Sequence, residues 1–354
     1  MAHTDIQVRR LLISAFGINS GGGLVLLKAL VKGAQESIRS IELDARVSAS
    51  QIGVPSSESR SVRRSFLARF ASSARLARSA VEGDVLLCFN SLPPLVASRA
   101  KVVTYVHAPH FVGAHRGVQY APLTRARLWI ERAWFRMAVG NTDEAWVQTP
   151  TMANRLREQF PSLVVRIVPL IDESLYKLTA ETARPPQPDV AWDVHAFFYP
   201  ADAVGHKNHV NLLRAWALMA TEFRRPKLWL TLSESELDSK LKLAGVSREE
   251  VGDVLALGRL SRDDVLARLA SASALMFPSV AETFGLPMLE AGALGCPIVA
   301  SERDFVRDVC RPVQTFDPDS PHSIAHAVAR FVQGNIAPLG PYFAADQFVE
   351  ALLS

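Results

Sequence analysis

The stretch from Leu275 to Ser301 leaves few folds open. It reads as an apolar strand, a loop, a short helix and a second apolar strand. Leu275, Met276 and Phe277 form the first strand, and Pro278-Ser279 stops it. Val280 to Phe284 are loop. Gly285-Leu286-Pro287 opens a helix, with the proline in the first turn, where a missing N–H costs nothing. Met288 to Leu294 continue the helix, Gly295 suits its C′ position, and Pro297 to Ala300 return as a strand. Strand, helix and strand at this spacing make a βαβ unit of a parallel sheet.

Two carboxylates stand out in that unit. Glu282 lies in the loop after the strand, and Glu290 lies in the helix. The pair flanks a helix N-terminus at the C-terminal edge of the sheet, where open α/β sheets place ligands. Free N–H groups of a first helical turn favour an anion. A diphosphate with hydroxyl-rich groups on either side, as in a nucleotide sugar, suits such a site. The plainer alternative is a helix-stabilising glutamate and a solvated loop glutamate.

The chain of 354 residues, 49% hydrophobic, is long enough for two domains. No apolar run reaches the ~18 residues that span a bilayer. The N-terminal residues lack the basic, apolar and small-residue layout of a signal peptide. Cys88, Cys296 and Cys310 form no C-x-x-C pair, so neither zinc nor a disulfide framework is expected. A cytoplasmic setting follows as the expectation.

Along the chain, Arg10 to Phe16 reads as a buried strand. Gly17 to Gly23 is read as a turn with Gly21, Gly22 and Gly23 in a row, and Leu24 to Lys32 as a helix. That layout either brings backbone close to a phosphate or sugar, or is a tight turn only; it is no dinucleotide fingerprint. Further strands are expected at Ile38 to Leu43, Asp84 to Phe89, Val102 to Val106, Glu144 to Gln148 and Val164 to Val168. These six strands make one doubly wound domain. His107 and His110 follow the strand ending at Val106.

Two stretches are basic. Ser59 to Val81 carries Arg60, Arg63, Arg64, Arg69, Arg75 and Arg78 and no acid; as a helix it would place Phe66, Leu67, Phe70, Ala71 and Ala74 on one face. Arg116 to Arg136 mixes five arginines with Trp129, Ile130, Trp134 and Phe135 around a single Glu131. Both fit an anionic membrane surface and both fit ordinary amphipathic helices. No nucleic-acid motif accompanies the charge.

Ile171 to Trp192, with Arg184-Pro185-Pro186-Gln187-Pro188, reads as a hinge. A second domain starts at His195 to Tyr199. Its first loop ends in Gly205-His206-Lys207-Asn208 before a helix from about His209. A cation at a helix N-terminus opposes the dipole unless an anion is present, which favours a phosphate-binding role for Lys207. Further strands are expected at Lys227 to Leu232, Val254 to Leu257 and Val313 to Phe316. Helices are expected from Asp263 to Ser271, from Ser320 to about Val332 and from Tyr342 to Leu353.

Glu282-Thr283-Phe284-Gly285-Leu286-Pro287-Met288-Leu289-Glu290, with Gly295-Cys296-Pro297-Ile298-Val299, resembles the E-x7-E signature of retaining GT-B glycosyltransferases, the family numbered 4. Leu257-Gly258-Arg259-Leu260, Ala274 to Ser279 and Phe316-Asp317-Pro318 resemble it in order and spacing. The match is dense from about Tyr199 to Asp319.

The resemblance implies an α/β chain of GT-B type, two doubly wound Rossmann-like domains facing a central cleft. The acceptor-side domain would take residues 1–172 and the nucleotide-sugar domain 193–341, with a hinge at 173–192. The final helix, 342–354, would return to the first domain. The resemblance also implies the roles. Glu290 would hold the ribose hydroxyls and Glu282 the transferred sugar. Lys207 and the N–H groups of Thr283, Phe284, Gly285 and Leu286 would hold the diphosphate, and Gly258-Arg259-Leu260 would pack under the base. His107, with His110 as substitute, would face the reacting sugar; Gly21, Gly22 and Gly23 would lie near the phosphates and acceptor.

Asp202 stands where the family usually has an arginine, so one diphosphate contact is either missing or supplied from elsewhere, by Arg259 first or else by Arg303. No metal or other cofactor is expected, because no D-x-D cluster appears where a metal would be needed.

The implied reaction moves a hexose from a nucleoside diphosphate sugar to a glycan or lipid-linked saccharide, in bacterial surface polysaccharide synthesis at the inner face of the membrane. A sugar-nucleotide epimerase on the same fold and a catalytically silent partner of an active transferase are the alternatives. A Rossmann dehydrogenase lacks its glycine fingerprint here.

Overall fold

The computed structural model describes residues 10–112, 122–181, 196–222, 226–331 and 344–353. They fall into two units. The first comprises 10–112, 122–176 and 344–353, and the second 177–181, 196–222 and 226–331.

The first unit holds a seven-stranded sheet of order β3-β2-β1-β4-β5-β6-β7. Its strands are β1 (Leu11–Ala15), β2 (Ile38–Asp44), β3 (Ser59–Val62), β4 (Val85–Cys88), β5 (Lys101–Val106), β6 (Glu144–Val147) and β7 (Val164–Ile167). Every pairing is parallel. Central β1 and β4 are buried at every position, as continuous apolar runs covered on both faces must be. The order reverses between β1 and β4, so the loops leaving β1, β4 and β5 gather at the switch point of the sheet.

The helix Ala345–Leu353 packs on the helix Gly21–Ala34. Gly33 permits this approach, since a Cβ there would lie 2.8 Å from the carbonyl carbon of Ala345. Phe348 drives the docking edge-on into the rings of Tyr105 and Trp146, with centroids 5.3 and 5.4 Å away.

The second unit holds a six-stranded parallel sheet of order β10-β9-β8-β11-β12-β13. Its strands are β8 (Ala196–Tyr199), β9 (Lys227–Leu230), β10 (Val254–Ala256), β11 (Ala274–Phe277), β12 (Ile298–Ser301) and β13 (Gln314–Phe316). Here the order reverses between β8 and β11. Lys207 follows the first of these strands and Glu282 the second.

Four sequence expectations are corrected. The stretch from Ser59 is not helix throughout: Ser59–Val62 is the edge strand β3, and the helix runs Phe66–Ser79. Only Val62 of that strand is buried, so it shows no apolar alternation, and its arginine suits an exposed edge.

The buried face of Phe66–Ser79 is also not the expected one. It carries Arg69, Ser72, Ser73, Leu76 and Ala77, while Leu67 is 80% exposed. Acids elsewhere in the chain turn the helix this way. Ser72 and Arg75 donate to the buried Glu42, and Arg69 lies 3.6 Å from Glu131.

Gly21, Gly22 and Gly23 are not loop but the first turn of Gly21–Ala34; the turn proper ends at Ser20. The start of the expected hinge is the helix Glu173–Glu181. Asp172 Oδ1 accepts from the N–H groups of Ser174 and Leu175 and so caps it. Residues 182–192 of the hinge, His195, and 116–121 of the second basic stretch lie outside the described residues.

Candidate functional site

In the second unit, β8 delivers the chain to a single turn, Gly205–Lys207, before the helix His209–Glu222. Asn208 takes the left-handed conformation at φ 59°. Its side-chain amide donates to the carbonyls of Pro278 and Pro318, at 3.1 and 2.7 Å. The Tyr199 hydroxyl donates to the Lys207 carbonyl at 2.9 Å and lies 2.8 Å from Ser279 Oγ. Val280 N–H donates to the His206 carbonyl at 2.9 Å. These contacts fasten the Lys207 turn to the loop after β11.

As a result the Lys207 ammonium contacts the Glu282 carboxylate, with both side chains mostly buried, at 17% and 12% exposure. Lys207 Nζ also stands 5.9 Å from the centroid of the Phe277 ring.

The helix after that loop runs Leu286–Ala293, with Pro287 in its first turn and Gly285 as N-cap at φ 72°. A Cβ on Gly285 would collide with Met288 Cε and approach Phe277 Cζ at 3.4 Å. Only glycine therefore lets the chain enter this helix directly above β11. Thr283 is partly buried and Phe284 buried. Leu294 is the C-cap, and Gly295 beyond it takes φ 68°.

Glu290, 6% exposed, projects from the buried side of this helix. Arg262, the first residue of the helix Arg262–Ser271, places its Nη2 3.3 Å from Glu290 Oε1. Arg259 is exposed in the loop after β10. Arg303 is committed elsewhere, to Asp319 at 2.7 Å and to the Glu302 carbonyl at 3.1 Å. Asp202 is exposed at the start of the Lys207 loop. The structure thus joins Lys207 to Glu282, and it joins Glu290 to Arg262, a residue the motif reading passed over. Its signal was a cation in a helical first turn, ahead of Asp263 and Asp264.

In the first unit, His107 follows β5. Its Nε2 lies 2.7 Å from the Phe89 carbonyl; because a carbonyl only accepts, that nitrogen carries the proton. The backbone N–H of His107 donates to Ser91 Oγ at 3.0 Å. Burial pushes its pKa down to about 4 against the partial support of the Phe89 carbonyl, so the ring is neutral at pH 7. The position of a Cβ on Gly23 lies 3.5 Å from His107 Cε1, which places the glycine turn against the imidazole.

His110 lies 3.3 Å from Glu131 Oε2. Burial lowers its pKa and Glu131 partly restores it. Burial also raises the Glu131 carboxyl, but His110, Arg127 and Arg69 together outweigh that and hold it low. Beneath the turn, the Gly17 N–H donates to Asp44 Oδ2 at 3.1 Å, and Arg46 grips the same carboxylate.

Residues 191–339 match the family model of glycosyl transferases group 1. No curated protein sequence matches the chain significantly. Several solved structures are similar over nearly the whole chain. HepE of Anabaena, in complex with UDP and glucose, has a TM-score of 0.66 at 15% identity, covering 97% of this chain and 94% of its own. Sucrose-phosphate synthase of Thermosynechococcus elongatus has 0.64 at 16%, covering 98% and 95%. The lipopolysaccharide outer core galactosyltransferase WaaB has 0.61 at 14%, covering 97% and 95%. At such identities the structures establish the fold, and the family match covers the second unit alone. The chain has the GT-B fold, its residues 191–339 are similar to glycosyl transferases group 1, and it is a glycosyltransferase.

Proposed function

We propose that the chain moves a hexose from a nucleoside diphosphate sugar to a saccharide acceptor, with retention of anomeric configuration and without a metal. The observation that carries this reading is the Lys207 ammonium held on Glu282 in front of the helix that bears Glu290. Neighbouring folds hold UDP with glucose and UDP with GlcNAc, which supports a nucleotide sugar as donor.

In this reading Lys207 leaves Glu282 for the leaving diphosphate, and the N–H groups from Thr283 to Leu286 share its charge. A fixed cation and fixed dipoles do the work a metal would otherwise do, at about 3 kcal/mol for one well-placed donor. Glu282 then turns to hydroxyls of the hexose, and Glu290 accepts from the ribose. The neutral His107 serves as a hydrogen-bonding group toward a sugar rather than as a cation. The diphosphate takes the acceptor's proton, so no protein nucleophile is needed.

Glu290→Gln tests the assignment. The donor KM should rise strongly while the fold is kept; unchanged kinetics would remove Glu290 from the site. Incubation with donor alone separates transfer from epimerisation, because an epimerase would convert the sugar without an acceptor.

The acceptor we infer is a glycan or lipid-linked saccharide of bacterial surface polysaccharide, presented at the inner face of the membrane. The helix Pro122–Ala138 supports this. It exposes Trp129 and Leu123, at 69% and 88%, beside exposed Arg125, Arg127 and Arg136. Tryptophan with arginine on a helix surface suits an anionic lipid interface. The other basic helix supports it less, since Arg69 and Arg75 face acids of their own unit. No helix among the described residues is long and apolar enough to cross a membrane.

A further inference from the structure

Arg262 occupies an unfavourable place for its charge. Ser261 caps the helix Arg262–Ser271, its Oγ accepting from the Asp264 N–H, and Asp263 and Asp264 fill the first turn. Acids suit that position and a cation opposes the dipole. The guanidinium does not turn to solvent but reaches across to the helix Leu286–Ala293, 3.3 Å from Glu290 Oε1, with 27% of the side chain exposed. At its own end Glu290 is nearly buried, and a buried carboxylate remains ionised only with compensating charge or hydrogen bonds.

We infer that Arg262 is a positioning residue for the nucleotide's ribose. Its Nη2 stands 3.3 Å from one oxygen of Glu290. A carboxylate has about four acceptor sites, enough to take two vicinal hydroxyls while Arg262 keeps the group ionised and oriented. The inference rests on the reading of Glu290 as the ribose-binding group. It assigns Arg262 a part in choosing ribose over 2′-deoxyribose, because a Glu290 free to rotate or take up a proton loses the geometry that rewards the second hydroxyl.

Titration calorimetry tests it on the full chain. The ligand is whichever of UDP, GDP and ADP binds the wild type most tightly, compared with its 2′-deoxy counterpart. The proteins are wild type, Arg262→Gln, Arg262→Lys and Glu290→Gln, each with its melting temperature. Arg262→Gln should weaken the ribonucleotide roughly tenfold, the size of one hydrogen bond to a charged group. The deoxynucleotide should weaken much less, so the ribose preference shrinks, and Arg262→Lys should restore part of it. A role confined to stability would lower the melting temperature and leave the preference intact.

If Glu290→Gln erases the preference while Arg262→Gln preserves it, Arg262 does not position the ribose and the inference fails alone. If neither variant alters the preference, the reading of Glu290 fails and the inference with it. Should Arg262→Gln not fold, Arg262→Lys, which keeps the charge and loses the fork, carries the same comparison.

Discussion

The ammonium of Lys207 rests on the carboxylate of Glu282, a residue from the neighbouring loop of the same sheet edge. A diphosphate entering this place competes with Glu282 for the cation. Lys207→Ala should therefore lower turnover at least about tenfold, by loss of one charge-assisted contact. Glu282→Gln should leave the affinity for a nucleoside diphosphate unchanged or raised, while turnover of the sugar donor falls. Steady-state kinetics and nucleotide titration check the pair; near-normal turnover of Lys207→Ala would move the diphosphate contact elsewhere.

Gly285 has no room for a side chain. At φ 72° an L side chain is strained, and its Cβ would meet Met288 Cε. Gly285→Ala should cost about 2 kcal/mol of stability and raise the donor KM, because the helix start must shift. Urea unfolding and kinetics measure both. An alanine variant with wild-type values would show that the turn relaxes freely.

His209 links stability to pH. It is 1% exposed, lies tilted against Tyr199 with ring centroids 5.0 Å apart, and its two ring nitrogens have no hydrogen-bond partner among the described residues. Burial first, then Lys240, Lys207 and His206, push its pKa from 6.5 down to about 3. The native ring stays neutral while the unfolded chain takes up a proton below pH 6.5. Stability is therefore level above that pH and falls as pH drops from 6.5 toward 3, by about 1.4 kcal/mol per unit from this group. His209→Phe should remove that share of the slope between pH 6.5 and 5 in urea unfolding. Equal slopes for the two proteins would mean the buried ring is already charged or solvated.

The helix Pro122–Ala138 predicts salt-dependent lipid binding. Co-sedimentation with vesicles rich in anionic lipid should fall as salt rises and should fall again for Arg125→Glu/Trp129→Ser. Pelleting indifferent to salt and lipid charge would remove the membrane from the proposal.

What could be read from the amino-acid order followed from apolar continuity. The strand before Pro278 and the central strands of both sheets are written in runs that only buried parallel strands use, and the left-handed Gly295 is written as a glycine just past a helix end. β3 was not legible, because Ser59, Arg60 and Ser61 pair by backbone alone at an exposed edge. The buried face of Phe66–Ser79 was misjudged because Glu42 and Glu131, far off in sequence, draw Arg69 and Arg75 inward. Spacing singled out Glu282 and Glu290 as candidates and gave no sign of Arg262, whose partner is set by the packing of two helices. Gly21 to Gly23 looked like loop because three glycines disfavour a helix locally; the apolar run that follows them overrides this.

The proposal depends most on the diphosphate being held by protein charge in the second unit. Titration of the best-binding nucleoside diphosphate into the chelator-treated protein addresses that directly. Affinity should be the same with and without EDTA and should drop about tenfold in Lys207→Ala. Binding abolished by EDTA, or undiminished in Lys207→Ala, would place the diphosphate on a metal or at another site.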